Sequence, residues 1–149
     1  MPRPTSPADR AIAEARAWLG TPWHHQAALK GVGCDCAGLV RGVGSSLGLM
    51  AAGDDAPAWR QFAGYTREPE PRRMLKALDL FMDRRPRGEQ PQRGDVLIMR
   101  FDRAPQHLAI LAGETIIHAD GAVGRVVEHR LSPDWRARVV AAWSFRGAA

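Results

Sequence analysis

HLAILAGETIIH, residues 107–118, is the stretch that decides the type of fold, because it has the pattern of a β-hairpin. Apolar and β-branched residues fill both halves, and Gly113-Glu114 stands between them. A two-residue loop that begins with glycine is typical of tight hairpin turns. The stretch therefore predicts two antiparallel strands in the C-terminal part of the chain.

The predicted turn also determines which side chains share a face of the hairpin. It pairs Ala109 with His118, and His107 lies two residues from Ala109, so the two histidines are diagonal neighbours on one face. Such neighbours have backbone separations of about 7–8 Å, within reach of a ring-to-ring hydrogen bond. A turn at Ala112-Gly113 would place the rings directly opposite, and a three-residue loop would separate them. By themselves the rings fit a catalytic pair, half of a metal site or a chance pairing.

Besides the hairpin, three runs after Gly94 are rich in β-branched or aromatic residues and are bounded by turn-forming residues. Runs of that kind indicate short strands. Together with the hairpin they predict an antiparallel sheet of about five strands. The three runs are VLIMRF (96–101), VVEHRL (126–131) and VVAAWSF (139–145).

Helices are predicted before the sheet. The first begins with Ser6 as its N-cap, followed by proline and a capping-box acid. A second follows Asp35, and a third is predicted over residues 72–83, with Met82 turned inward. Residues 50–73 are predicted to be largely irregular. N-terminal helices followed by an antiparallel sheet are the order of an α+β fold.

The bulk composition is that of a soluble globular domain. The 149 residues suit one domain, and 45% are hydrophobic and 25% charged. No apolar run approaches the roughly 20 residues that a membrane-spanning helix needs, so no membrane insertion is expected. The net charge of +5 comes mostly from arginines, which are spread out and accompanied by no nucleic-acid motif. We interpret them as a solvated surface and expect no nucleic-acid partner.

Cys34 and Cys36 are separated by one residue, which is too close for ordinary disulfide geometry. Two thiols alone are also a poor zinc set, and although His24 and His25 upstream leave a metal site open, a reactive thiol is the better interpretation and no metal is expected. Asp35 is the natural N-cap of a helix that begins at Cys36, and the unpaired amides at a helix start favour a thiolate. Cysteines so placed can have pKa values of about 3.5–7.5 instead of about 8.5. Cys36 is therefore the predicted reactive thiol, and Cys34 is a small core thiol or a bystander in the loop.

The chain thus supplies a thiol on a helix, an imidazole on a strand and a second ring on the next strand. This is the logic of papain-like sites, in which a base takes the proton of the nucleophile and a third group orients the base. Cys36 is then the nucleophile, His107 the base and His118 the orienting residue. Such chemistry needs neither a metal nor an organic cofactor.

Three ordered motifs resemble those of the NlpC-type cell-wall peptidases, a family that is papain-like in fold. Their counterparts in the family are "G-x-P-Y … D-C-S-G-L-V", the strand "GDLVFF", and "HVGIYLG…(I/V)HA". The resemblance covers most of the chain. The matching stretches are WLGTPW (18–23) with GVGCDCAGLV (31–40), RGDVLIMR (93–100), and QHLAILAGETIIHAD (106–120).

The resemblance implies a single NlpC-type peptidase domain over residues 1–149. It places Cys36 at the position of the nucleophile, His107 at that of the base and His118 at that of the orienting residue. These are the same roles that the residue chemistry suggests without reference to any family.

The chain departs from the family pattern at two positions. Trp23 stands where the family has a tyrosine thought to help the oxyanion hole, and Ala37 stands where a serine usually follows the nucleophile. The resemblance therefore implies an oxyanion site to which the indole N–H of Trp23, His24 or the Cys36 backbone amide contributes. Asp35 matches the acid before the nucleophile and is counted with these substrate and oxyanion residues.

HHQ after GTPW resembles the phage-type branch of the family, whose members belong to phage tails or tail-like gene-transfer particles. MPRPTSPADR has no apolar segment behind its arginines, so no signal peptide is predicted and synthesis in the cytoplasm is expected. The resemblance implies a peptidoglycan stem peptide as substrate, cut between D-glutamate and meso-diaminopimelate. It also implies tail or baseplate hub proteins as partners, and delivery to the periplasm or cell wall within a tail particle.

Three alternatives stay open at this point. A free-standing cytoplasmic or wall-recycling hydrolase would have the same chemistry without a tail. An acyltransferase or amidase on the same scaffold would use the same triad on another acyl donor. A structural tail-hub subunit would keep the fold with an idle site, an interpretation that the changes at Trp23 and Ala37 leave open.

Overall fold

The computed structural model describes residues 6–49, 71–102 and 104–145. In the described part of the chain, three of the four helices precede the last six strands. In chain order they are α1 (Pro7–Ala17), β1 (Ala28–Leu29), β2 (Gly33–Cys34), α2 (Cys36–Ser46), α3 (Pro71–Phe81), β3 (Met82–Arg84), β4 (Val96–Phe101), β5 (Ala104–Leu111), β6 (Thr115–Asp120), β7 (Arg125–Arg130), α4 (Pro133–Arg136) and β8 (Val139–Phe145).

The larger sheet of the described residues has six antiparallel strands in the order β3-β8-β4-β5-β6-β7, and β1 and β2 form a small second sheet. The helices α1 and α2 pack on one face of the larger sheet. The α+β class predicted from the sequence, with N-terminal helices on an antiparallel sheet, is confirmed.

Apolar side chains cover both faces of the sheet, because successive residues of a strand point in opposite directions. Ile98 and Ile110 pack against α2 through residues such as Leu39. Their neighbours Leu97 and Ala109 belong to a second cluster on the opposite face. This arrangement gives the sheet a helix face and a far face, and both names are used below.

The hairpin predicted from residues 107–118 has the expected register. Leu111 pairs with Ile116, and the Ala112 amide donates to the Thr115 carbonyl at 2.8 Å. Gly113 has a φ of 93°, a left-handed conformation that glycine adopts without strain. The glycine-first turn is therefore confirmed.

The first helix also begins as predicted, and a side-chain ion pair joins it to the far edge of the sheet. The Ser6 hydroxyl accepts from the Asp9 amide at 3.0 Å, which caps α1. Arg16, near the other end of α1, donates through two nitrogens to the carboxylate of Glu128 on β7. A two-point arginine–carboxylate contact fixes orientation as well as distance.

The prediction for the third helix was wrong at its C-terminal end. The helix ends at Phe81, and Met82–Arg84 form β3, which pairs with β8, so the sheet has six strands rather than about five. Met82 is inward as expected, but as a strand residue opposite Phe145. A local pattern cannot reveal pairing with a strand about sixty residues away. Of the stretch predicted to be irregular, residues 50–70 lie outside the described residues, and Pro71 already begins α3.

No helix among the described residues is long and apolar enough to cross a membrane.

Gly38 lies in the first turn of α2, where the helix passes directly over the loop before it. A Cβ atom at this position would stand 1.8 Å from the carbonyl oxygen of Ala27, so the two backbones meet only because no side chain intervenes. We expect Gly38→Ala to destabilise the protein by about 3 kcal/mol or more, since the opposing atom belongs to backbone. Thermal unfolding followed by circular dichroism measures the effect.

The matched control is Gly121→Ala, whose Cβ would stand 3.6 Å from the Trp23 ring, an ordinary contact. It should unfold close to the wild-type temperature. Equal stability of the two variants would contradict the close approach of Ala27 to α2.

Candidate active site

Asp35 fixes the start of α2 and the loop that precedes it. Its Oδ1 accepts from the Gly38 amide at 2.8 Å as the N-cap, and its Oδ2 accepts from the Gln26 amide at 2.7 Å. The side chain is buried, so both bonds form away from solvent. Asp35 thereby sets where Cys36, the first residue of the helix, is presented.

The Cys36 thiol is partly buried against the edge of β5. The backbone amide of Leu108, the residue after His107, donates toward the sulfur and acts to lower its pKa, as do the amides of Ala37 and Cys36 itself. Burial outweighs these donors and, together with the charge of Asp35, raises the pKa of Cys36 to about 12. The expectation of a thiolate stabilised by the helix start was wrong. The resting sulfur is a neutral thiol, because desolvation exceeds the effect of the helix end.

Cys34 is a core thiol, as one of the two sequence interpretations had it. It is fully buried in the cluster between α1, α2 and the sheet, and burial raises its pKa to about 12. Both cysteines are free thiols.

His107 and His118 are joined by the ring-to-ring hydrogen bond that the hairpin register predicts. Nε2 of His107 lies 2.7 Å from Nδ1 of His118, with the rings nearly perpendicular. Burial, then the neighbouring ring, lowers the pKa of His107 to about 3. Burial, then His129, lowers the pKa of His118 to about 4. Both rings are therefore neutral near pH 7.

A third histidine, missed in the sequence, extends this pair. Nε2 of His118 lies 2.7 Å from Nε2 of His129 on β7, and Nδ1 of His129 lies 2.9 Å from the Arg130 carbonyl oxygen. The register of β6 with β7 pairs His118 with Val127, so His129 is again a diagonal neighbour on the same face. VVEHRL was predicted to be a strand and contains His129. The sequence pattern did not give the length of the loop before it, and that length decides which residue pairs with His118.

Aromatic side chains enclose the three rings on the far face. Trp135 lies against His118 and His129, with ring centroids 5.2 and 4.7 Å away, and Phe101 meets His107 edge-on at 5.5 Å. The short helix α4, whose N-cap is Ser132, presents Trp135. This apolar wall removes water from His107 and His118, and that desolvation is the dominant cause of their lowered pKa values.

The thiol and the histidines approach each other from opposite faces of the sheet. Cys36 lies on the helix face, and the three rings project from the far face. The register of β5 with β6 reaches only to Ile110 and Ile117, so the two strands separate beside Leu108. There the Leu108 amide is directed toward the sulfur and acts to lower its pKa. Among the described residues no hydrogen bond joins the thiol to the His107 ring in this resting geometry.

Comparison with solved structures finds the same architecture in cell-wall hydrolase domains. The NlpC/p60 domain of the peptidoglycan hydrolase SagA is 25% identical, with a TM-score of 0.59, and the match covers 92% of this chain and 97% of that one. The chain has an NlpC/P60-like fold. An NlpC/P60 family protein from Bacillus cereus (22% identity, TM-score 0.63, 97% of this chain) is similar as well.

The peptidoglycan hydrolase RipB from Mycobacterium tuberculosis matches at 19% identity and a TM-score of 0.57, over 97% of this chain and 67% of its own. The chain spans only 41% of the Bacillus cereus protein, so it is similar to one part of that molecule. No protein-family model matches the sequence, and the curated proteins contain no match either. The likeness therefore rests on three-dimensional structure.

The remaining predicted site residues lie on the loop that leads to α2 of this NlpC/P60-like fold. Trp23 is half-buried, pairs with Cys34 through a bridge and packs against Gly121. His24 is exposed, and its Nδ1 donates to the His25 carbonyl at 3.1 Å, so that nitrogen is already occupied. The structure thus brings Trp23 to the core beside β2 and leaves His24 at the surface.

The described residues contain no group of three or more side chains placed to hold a metal ion. The three histidines bond to each other nitrogen to nitrogen at 2.7 Å, so they do not converge on a common point. The arrangement is suited to moving or orienting a proton.

The neutral state of Cys36 predicts slow alkylation at neutral pH. With a pKa of about 12, we expect iodoacetamide to modify Cys36 at pH 7 roughly 1000-fold more slowly than free cysteine. The rate should rise about tenfold per pH unit above pH 7. Cys36→Ser measures the background from Cys34. A fast rate that does not change between pH 5 and pH 8 would instead indicate a thiolate–imidazolium pair.

The buried histidines predict loss of stability in acid. The unfolded chain binds protons below a histidine pKa of about 6.5, whereas the folded rings resist protonation until about pH 4 and 3. The free energy of unfolding should therefore fall as the pH drops below 6.5, by roughly 2 kcal/mol per ring between pH 7 and pH 5. Urea unfolding at both pH values measures it.

His118→Asn should remove about half of this acid-dependent loss. The control His24→Asn, on the exposed loop, should leave it unchanged. A free energy of unfolding that does not vary between pH 7 and pH 5 would contradict the burial of neutral rings.

Proposed function

We propose that this chain is a cysteine endopeptidase that hydrolyses peptidoglycan stem peptides, with Cys36 as nucleophile, His107 as base and His118 as orienting residue. One observation carries the proposal: the Leu108 amide is directed toward the Cys36 sulfur, and the residue before Leu108 is His107, whose Nε2 is held by His118. The NlpC/P60-like fold supports the substrate class, since SagA and RipB are peptidoglycan hydrolases.

Because thiol and imidazole are both neutral, proton transfer accompanies attack. Nδ1 of His107 takes the proton from Cys36 as the sulfur bonds to the amide carbon, and the carbonyl oxygen becomes an oxyanion. The C–N bond then breaks, and the imidazolium gives its proton to the leaving amine. Water, deprotonated by His107, cleaves the thioester and releases a carboxylic acid and the free thiol. Catalytic hydrogen bonds that are open at rest commonly close only when substrate is bound.

In this mechanism, N–H groups at the start of α2 donate hydrogen bonds to the oxyanion. The Cys36 amide already points toward the sulfur, as expected for a group that will hold the oxygen of an acyl intermediate. We propose the indole N–H of Trp23 as the second donor to the oxyanion. His24 is less favoured, because its Nδ1 already donates to the His25 carbonyl. Asp35 acts by positioning, since an ionised carboxylate only accepts and both of its oxygens hold backbone amides.

The scissile bond in this proposal is the one between D-glutamate and meso-diaminopimelate, and the site of action is the cell wall. The enzyme would reach the periplasm as part of a phage-like or gene-transfer tail, bound to hub or baseplate proteins. The support for this part is the similarity of the Trp23 loop, GTPWHHQ, to the phage-type branch of NlpC-type peptidases.

The proposed chemistry predicts that Cys36→Ala abolishes digestion of purified peptidoglycan, with activity reduced by at least roughly 1000-fold because the nucleophile is lost. Mass spectrometry of the released muropeptides identifies the bond that is cut. Cys34→Ala is the matched control and should remain active, since Cys34 is a core thiol. Circular dichroism verifies that both variants fold.

Each other result points to a different function. Full muropeptide release by Cys36→Ala would overturn the assignment. Products that carry a transferred acyl group would identify an acyltransferase, and a cut at the sugar–peptide amide would identify an amidase. A folded wild-type protein that releases nothing would favour a structural tail subunit.

A further inference from the structure

The three histidines of the far face form a continuous chain that ends on backbone. The chain runs from His107 on β5 through His118 on β6 to His129 on β7, with each ring-to-ring contact at 2.7 Å. It ends where Nδ1 of His129 lies 2.9 Å from the carbonyl oxygen of Arg130. The mechanism above uses the first two rings and leaves the third without a role.

The last contact assigns every proton in the chain. A carbonyl oxygen can only accept, so Nδ1 of His129 carries hydrogen. An imidazole with its one hydrogen on Nδ1 has a lone pair on Nε2. That lone pair accepts from Nε2–H of His118, which leaves Nδ1 of His118 as an acceptor. This nitrogen in turn accepts from Nε2–H of His107. The remaining nitrogen, Nδ1 of His107, is therefore free of hydrogen and can take a proton.

The opposite tautomer of His107 would be useless as a base toward Cys36, because its Nδ1 would already carry hydrogen. In water a neutral imidazole exchanges between its two tautomers. Within this chain each ring is held in one tautomer by its neighbour, and the direction of the whole series is set at the Arg130 carbonyl. A local hydrogen bond on β7 thus determines the protonation pattern on β5, two strands away.

We propose that His129 is a positioning residue that fixes the tautomers of His118 and, through it, of His107. This inference rests on the proposed function for its catalytic consequence, but the tautomers themselves are a property of the folded protein. Trp135 supports the arrangement by packing against both His118 and His129, which keeps water from competing for their nitrogens.

The test compares two variants of His129 that differ in whether the new side chain can accept a hydrogen bond from His118. His129→Gln can place an amide oxygen near the former Nε2 and still accept from His118, whereas His129→Leu cannot accept. We expect His129→Leu to lower kcat for muropeptide hydrolysis by roughly 10–100-fold with KM nearly unchanged. His129→Gln should retain most of the wild-type kcat.

Nitrogen-15 NMR of the imidazoles provides a readout that does not require activity. In the wild type at pH 7, His107 and His118 should carry hydrogen on Nε2, and His129 should carry it on Nδ1. In His129→Leu, the spectra of His118 and His107 should show mixed tautomers. Circular dichroism confirms that the variants are folded.

The possible outcomes separate this inference from the proposed function. Hydrogen on Nε2 of His129, or unchanged tautomers of His118 in His129→Leu, would overturn the inference whether or not the protein is a hydrolase. Equal kcat values for His129→Leu and the wild type would overturn the catalytic consequence. If the wild type cuts no peptidoglycan but the spectra follow the prediction, the proposed function fails and the assignment of tautomers stands.

Discussion

The buried carboxylate of Asp35 is the interaction on which the geometry of the site depends. One oxygen holds the Gly38 amide in the first turn of α2, and the other holds the Gln26 amide in the preceding loop. Without it, the helix start and the loop would lose their common anchor, and the amides of Gly38 and Gln26 would both lose their partner. The same charge stands beside Cys36 and opposes its ionisation. The carboxylate that positions Cys36 therefore also raises the pKa of its thiol.

The neutral thiol and imidazoles distinguish this site from one that holds a thiolate–imidazolium pair before substrate binds. A thiolate next to an imidazolium would be ready for attack but also ready for oxidation and alkylation. Here burial keeps Cys36, His107 and His118 uncharged. In the proposed reaction the base would remove the proton during attack, as it does in a serine hydrolase. If the proposed delivery in a tail particle holds, a neutral thiol would resist oxidation on the way better than a thiolate would.

Features that depend on short-range sequence were predictable. The caps at Ser6 and Asp35 follow from the residues of one helix turn, and the His107–His118 contact follows from a two-residue turn. These elements need only local geometry, so composition and spacing suffice.

Features that depend on distant pairing were not predictable in the same way. The local sequence of Met82–Arg84 has a helical pattern, but in the fold this segment pairs with β8 as a strand. His129 gains its importance only once the register of β6 with β7 is known. The state of Cys36 was misjudged for a related reason, since burial is a property of the whole fold and the helix-end effect is visible in sequence.

Gly38 shows how a motif can record packing instead of chemistry. The stretch D-C-A-G-L-V contains the proposed nucleophile, but its glycine is required because the Ala27 carbonyl occupies the space of a Cβ. Every other amino acid carries that atom, so every missense change of this codon meets the same obstacle. Selection would purge such alleles in an active enzyme and in an idle structural descendant alike. An invariant glycine here would therefore carry no information about whether a related chain still catalyses.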